Sequence, residues 1–242
     1  MNGGEEKIGE KFQQETKYAR LSDRPERAIP TVRGPRPQGD LIDLPEPDLP
    51  KGPSIWETLL KRRSTRDYSR TPLSLQELSN LLWATQGVTA EADLPWYRTA
   101  PSAGALHPID TYLVINRVRE LRPGIYFLHV GKFRLEMQKE GDFARQTAEA
   151  ALGQDMVAEA AVVFIWVAVI LRSRQKYRQR AYRYIYLDCG HIGQNLYLAA
   201  GAMDLGCCGI AAFFDDEVNS LINVDGREET AIYLAAVGRK QT

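Results

Sequence analysis

Arg62-Arg63-Ser64-Thr65-Arg66 and, further along, Pro101-Ser102-Ala103-Gly104-Ala105-Leu106 are the two stretches on which the reading of this chain turns. Three guanidiniums and two hydroxyls so close together can hold a phosphate through bidentate, charge-assisted hydrogen bonds. Standing alone, such a cluster is also an ordinary solvated helix end, where basic side chains meet the negative pole of the helix. The second stretch is a turn of small residues, where backbone can approach a flat ligand closely. Gly238-Arg239-Lys240, after a last apolar strand, adds a third basic element, although a basic terminus is commonplace. Taken together the segments read as two ends of a flavin mononucleotide (FMN) site.

The composition leaves room for such a site in one domain with a tail. The chain has 242 residues, 44% of them hydrophobic, and a formal net charge of zero, enough to bury a core and without an electrostatic case for nucleic acid or a membrane surface. Cys189, Cys207 and Cys208 are odd in number and lack metal-ligand spacing, so neither a disulfide framework nor a metal site is expected. A reducing cytoplasm fits that usage. Met1 to Arg20 is polar and charged, without the apolar centre of a signal peptide. The longest apolar run, Ala161 to Leu171, is too short for a bilayer span and rich in Val and Ile, which predicts a buried strand.

Residues 1 to 53 form a segment of their own. Pro25, Pro30, Pro35, Pro37, Pro45, Pro47, Pro50 and Pro53 crowd a polar stretch that cannot be helix or central sheet. It reads as an extended arm, either a disordered leader or one that wraps a partner through Leu41, Ile42, Leu44 and Leu49. The compact domain is expected over 54 to 242. Its first helix, from Ser54 to about Arg63, should bury Ile55, Leu59 and Trp56. A second opens at Ser74 with a Ser-x-x-Glu capping box closed by Glu77. Strands are predicted over Thr111 to Asn116, Ile125 to Val130 and Phe133 to Gln138, the last two joined as a hairpin. Helical segments over 142 to 159 lead to the buried strand. A long helix follows, with Ile185, Cys189, Ile192, Leu196, Ala199 and Met203 recurring at steps of four and three. So long a stripe predicts a helix packed centrally, with a two-fold interface as one place for it. A strand over Gly209 to Phe213, a helix over Asp215 to Ile222 and a strand over Thr230 to Val237 complete an α+β layout.

Lys176-Tyr177-Arg178-Gln179-Arg180-Ala181-Tyr182-Arg183-Tyr184 interleaves bases with aromatics, which invites a nucleic-acid reading. The run is short and the net charge zero, so the first reading is a solvated opening turn of the long helix, with tyrosines packing beneath. A catalytic reading is open as well, because a lysine beside a tyrosine can move a proton once burial tunes it. For His129 and for His191, near Asp188, a structural hydrogen bond comes before catalysis. His107 differs in bordering the small-residue turn. Cys207-Cys208 reads as packing, since adjacent cysteines rarely close a ring. Gln194-Asn195 reads as satisfying buried polar neighbours.

From Ser54 to Lys240 the ordered segments resemble the nitroreductase superfamily, and most closely its SagB-type branch, the azoline dehydrogenases of thiazole/oxazole peptide biosynthesis. The residues carrying the resemblance are Arg62-Arg63-Ser64-Thr65-Arg66-Asp67-Tyr68, Pro101 to Pro108, Lys176-Tyr177, Tyr182-Arg183-Tyr184, Gly190-His191-Ile192-Gly193-Gln194-Asn195-Leu196 and Leu205-Gly206-Cys207-Cys208-Gly209-Ile210. Glu15-Thr16-Lys17-Tyr18 also looks like the arm that precedes this domain.

The resemblance implies a homodimer with a mostly antiparallel central sheet flanked by helices, and an FMN site shared between subunits. It gives Arg62, Arg63, Ser64 and Arg66 to the flavin, with Arg239 closing the phosphate site. Pro101, Ser102, Ala103, Gly104 and Ala105 reach the same flavin from the other subunit. The backbone amides of Ala211 and Ala212 face the flavin N5 and O4 edge. Lys176 and Tyr177 match the branch's proton-transfer pair. The function implied is hydride transfer between an organic substrate, such as an azoline in a modified peptide, and FMN. The alternatives are an NAD(P)H-dependent nitro- or quinone-reductase acting on a small molecule, and a non-catalytic flavin-binding module. Biosynthetic members often carry a peptide-recognition domain, which residues 1 to 53 are too short and proline-rich to form.

Overall fold

The computed structural model describes residues 8–17, 39–48, 52–90 and 97–241. The expectations placed on Tyr18, Pro25, Pro30, Pro35, Pro37, Leu49 and Pro50 lie outside them.

The apolar run becomes strand β7 (Val162–Val169), buried on both faces. Its residues alternate between two cores, as a pleated strand requires. Phe164, Trp166 and Ala168 point into one core, Val163, Ile165 and Val167 into the other. Around it runs one seven-stranded sheet, antiparallel at every pairing, in the order β1-β6-β5-β4-β7-β9-β8. Its other members are β1 (Leu41–Asp43), β4 (Ile109–Ile115), β5 (Gly124–His129), β6 (Arg134–Glu140), β8 (Leu205–Ile210) and β9 (Glu229–Arg239). A separate ribbon pairs β2 (Val88–Ala90) with β3 (Tyr97–Arg98).

Helices α3 (Leu75–Gln86) and α7 (Ala181–Ala202) pack on the Trp166 face. Helices α4 (Ala144–Ala150), α5 (Asp155–Glu159) and α8 (Asp215–Ile222) cover the other. The Ser74 capping box forms as expected, with Glu77 N–H donating to the Ser74 hydroxyl and the Glu77 carboxylate accepting from the Ser74 amide. Ser54 and Glu57 build the same box at α2 (Ile55–Lys61).

Several expectations change. Ile55, Trp56 and Leu59 are 53%, 77% and 43% exposed, so α2 buries only Thr58 of its seven residues. The long stripe does not need a two-fold mate, because Ile185, Cys189, Ile192 and Leu196 are buried in the chain's own core. A seven-stranded sheet is wide enough to cover a helix of this length. The strand expected over Gly209 to Phe213 begins and ends earlier, which puts Cys207 and Cys208 inside it, buried and free, and Ala211 and Ala212 beyond it. Part of the arm joins the domain: Leu41–Asp43 is an edge strand on β6. Ahead of the prolines, α1 (Ile8–Glu15) is helical. Lys176 and Tyr177 close a separate helix, α6 (Ile170–Tyr177), rather than opening α7. Arg178, at φ 49°, breaks the two apart.

Candidate functional site

The basic loop leaves α2 and lies along the ends of β8 and β9. The Thr65 amide donates to the Cys207 carbonyl at 2.9 Å, the Ser69 amide to the Arg239 carbonyl at 2.9 Å, and Tyr68 bridges Lys240. The Tyr68 phenol is buried and donates to the carbonyls of Thr65 at 2.6 Å and Ala236 at 3.0 Å. Burial drives its pKa far above the usual phenol range. Gly238 permits this close approach, since a Cβ there would lie 3.0 Å from the Tyr68 ring. Two basic clusters far apart in sequence thus meet on one edge.

Their side chains are not equally free. Arg66 is exposed and makes no side-chain hydrogen bond or ion pair among the described residues. Arg62 lies over the Tyr197 ring, 5.5 Å from its centroid. Arg63 turns back on α2, donating to the carbonyls of Leu60 at 3.2 Å and Arg62 at 2.7 Å, which is the helix-end role its position allowed. Arg239 pairs with Glu77 at 2.7 Å. Burial pushes the Glu77 carboxyl up, but the Ser74 hydrogen bonds and the Arg239 charge outweigh it and leave the pKa lowered.

Tyr197 links this loop to a groove. Its hydroxyl lies 3.0 Å from Ser64 Oγ and accepts the Gly209 amide at 2.6 Å. The groove, about 290 Å³, runs between α7 and β9 and is lined among others by Tyr186, Gly190, Gln194, Tyr197 and Tyr233. Burial pushes the Tyr233 phenol up to about 12. Past the end of β8, the amides of Ala211 and Ala212 donate to no acceptor among the described residues. An edge of basic and hydroxyl side chains, an aromatic-lined groove and two amides without an acceptor among the described residues have the donor set that a flavin mononucleotide would need. The volume lies just under the usual range of ligand pockets.

The second constellation joins the turn at 101–105 to Lys176 and Tyr177. Gly104 sits so close that a Cβ would lie 2.6 Å from Lys176 Nζ and 2.5 Å from Tyr177 Oη. The ammonium is 5.4 Å from the Tyr177 ring centroid, and Tyr184 meets that ring edge-on at 4.7 Å. Burial raises the Tyr177 pKa, helped by Tyr184 and Asp188. Asp188 takes the Ser102 hydroxyl at 2.6 Å, so that side chain is spent on α7. Helix α7 therefore carries both constellations, one through Asp188 and the other through Tyr197, nine residues or about 14 Å further along its axis.

The profile of the nitroreductase family matches residues 59–239. The chain belongs to that family. It is 34% identical over 202 residues to MJ1384 of Methanocaldococcus jannaschii, named as a nitroreductase, covering 84% of this chain and 98% of that one. It is 30% identical over 149 residues to the trifolitoxin-processing protein TfxB of Rhizobium leguminosarum bv. trifolii, covering 60% of this chain and 40% of TfxB. Among solved structures, an Anabaena variabilis protein named as a nitroreductase superposes with a TM-score of 0.77 at 27% identity, over 96% of this chain and 47% of that one. The chain thus spans less than half the length of TfxB and of the Anabaena protein. The Escherichia coli microcin synthetase McbBCD complex, solved with truncated pro-MccB17 bound, gives 0.65 at 16% identity, over 100% of this chain and 85% of that one; this is likeness of fold alone. The fold is nitroreductase-like, α+β with a central antiparallel sheet flanked by helices.

Sequence reasoning on this nitroreductase-family chain passed over Asp188, Tyr197, Tyr68 and Glu77 as site residues. One signal was available: Asp188 falls three residues after Ile185 and four before Ile192, a carboxylate on an apolar stripe. Of the basic-aromatic stretch, Arg180 and Arg183 bind the end of α1. His129 makes the structural bond expected of it, to Glu136 at 2.7 Å. Asn195 donates to the carbonyls of Ala84 and Thr99, whereas Gln194 is exposed on the groove.

Proposed function

We propose that this nitroreductase-superfamily oxidoreductase binds FMN and oxidises an organic substrate in the manner of the SagB-type dehydrogenases. The observation that carries the reading is the packing of Lys176 and Tyr177 on the Pro101–Ala105 turn. A reductase that draws its protons from water has no use for a lysine-tyrosine pair held there. The relationship to a trifolitoxin-processing protein supports a modified peptide as substrate.

Arg66 and Ser64 would hold the phosphate with Arg62, and Arg239 would join them by sharing or leaving Glu77. The groove would take the ring and the amides of Ala211 and Ala212 its polar edge. Bound FMN supplies a hydride acceptor. The Lys176–Tyr177 pair handles the proton that leaves beside the substrate heteroatom: the neutral amine of Lys176 takes it, while Tyr177, whose raised pKa keeps its phenol protonated, can donate a hydrogen bond. The small volume of the groove supports a site shared across a homodimer, the turn of one subunit facing the flavin held by the other.

The 34% identity to a protein named as a nitroreductase favours a second reading, reduction of a nitro compound or quinone at the expense of NAD(P)H. One anaerobic experiment separates the two. Protein loaded with FMN is mixed with an azoline-containing peptide or with NADH, as wild type and as Lys176→Ala. Bleaching by the azoline that Lys176→Ala abolishes, with flavin still bound, is expected. Bleaching by NADH alone, indifferent to Lys176→Ala, would establish the reductase. Failure to take up FMN would remove both, and Arg66→Ala should weaken uptake about ten- to hundredfold, the worth of one charge-assisted contact.

A further inference from the structure

Asp188 is 4% exposed, on the face of α7 that otherwise enters the core. A carboxylate so placed is costly unless its oxygens are bonded. Its bonds all go to one turn. The Ser102 hydroxyl donates at 2.6 Å, and the Ala103 amide donates to both oxygens at 3.1 and 3.2 Å. The Ser102 oxygen accepts in turn from the His107 amide at 2.9 Å, which closes the loop on itself.

The loop so closed is strained. Gly104, Ala105 and His107 stand at φ 63°, 54° and 45°, and only the first is a glycine. Left-handed non-glycine residues persist where surrounding structure over-determines them. Here the surrounding structure includes the carboxylate, with Arg172 donating to the His107 carbonyl at 3.4 Å at the end of the turn, and what the carboxylate side holds in place is Gly104, against Lys176 Nζ and Tyr177 Oη. Slackening the loop would move the wall on which that pair rests.

We infer that Asp188 is a positioning residue, a latch that fixes the Ser102–His107 turn in its strained form and so presents it both to the flavin and to the Lys176–Tyr177 pair. The part concerning flavin rests on the function proposed above; the latch itself does not. Asparagine offers one neutral acceptor oxygen where aspartate offers two that share a charge, so Asp188→Asn weakens the hold on Ser102 and Ala103. Ser102→Ala removes the same contact from the other side, and Ser102→Thr keeps it.

Amide hydrogen exchange on the full-length protein without FMN tests the latch. Asp188→Asn and Ser102→Ala should each speed exchange at the Ala103 and His107 amides by about tenfold or more, the worth of a hydrogen bond to a charged group. Ser102→Thr should restore wild-type exchange. Exchange in that segment unchanged by Asp188→Asn would overturn the inference. FMN titration tests the consequence: both variants should bind about tenfold more weakly or worse, and the double variant no worse than the weaker single one. Additive losses would show that the two residues act separately and would also overturn it. Wild-type protein that takes up no FMN would reject the flavin reading, while the exchange result still decides the latch.

Discussion

A buried carboxylate answers to pH in a direction that can be worked out. Burial holds the Asp188 carboxyl above its ordinary range, against the bonds from Ser102 and Ala103 and the charge of His191. The folded chain therefore takes up this proton at a higher pH than the unfolded chain. The resulting stability is complete below the unfolded pKa of about 3.9 and is lost as pH rises through the folded value. Wild type should gain on Asp188→Asn as the pH is lowered from about 7 to about 4.5, read as the difference in denaturation midpoints. A constant difference would mean that the carboxyl titrates normally, and a shrinking one that its folded pKa lies below the ordinary value. At this scale the sequence was legible where a cluster lies within a few positions, as the basic run Arg62 to Arg66 does. Asp188 was not, because the hydroxyl that gives it a role lies 86 residues away. Tyr197 and Glu77 were hidden for the same reason: each is informative only through a partner on another element.

Helix α1 has eight residues, too few to persist alone in water. What keeps it is the start of α7. Arg183 Nε donates to the Thr16 hydroxyl at 2.6 Å, Arg180 donates to the Thr16 carbonyl at 2.5 Å, and the Arg183 guanidinium lies 5.5 Å from the Phe12 ring centroid. Cations placed at a helix C-terminus also meet its free carbonyls favourably. Arg180 bonds Tyr184 as well, at 2.8 Å, and Tyr184 packs on Tyr177. Arg183→Ala should release α1, so trypsin should cut at Lys11 and Lys17 several-fold faster while the rest of the domain melts as before. Unchanged cleavage would mean that α1 is held by something else. Periodicity made the strands and long helices legible, because a period of two or 3.6 is local. The division of α6 from α7 was not, since Arg178 carries the left-handed turn where a glycine would have announced it. Nor was the early end of β8, for Ala211 and Phe213 continue an apolar run that has no partner strand to extend it.

The whole chain leaves large apolar side chains in water on one short helix. Trp56 and Leu60 of α2 are 77% and 75% exposed, while on α7 Tyr186 and Leu187 are 57% and 59% exposed beside the groove. Scattered apolar residues are ordinary; four large ones on a seven-residue helix that buries only a threonine are what an interface leaves when its partner is taken away. The stripe through Ile192 and Leu196 looked like the interface in sequence because an apolar stripe does not say which surface covers it. In the structure the sheet covers it, and in the homodimer proposed above α2 becomes the candidate contact. Trp56→Glu and Leu60→Glu should then change folding stability by no more than about 0.5 kcal/mol, as exposed positions do, yet separate the subunits. Leu196→Glu, at 0% exposure, should cost several kcal/mol and unfold the chain itself. Sedimentation with absorbance at a flavin wavelength, beside circular dichroism, reads both effects. If the groove is one wall of a shared site, folded Trp56→Glu monomers should lose their FMN along with the partner. A folded monomer with stoichiometric flavin would place the whole site within one chain, and a Trp56→Glu dimer would take α2 out of the interface.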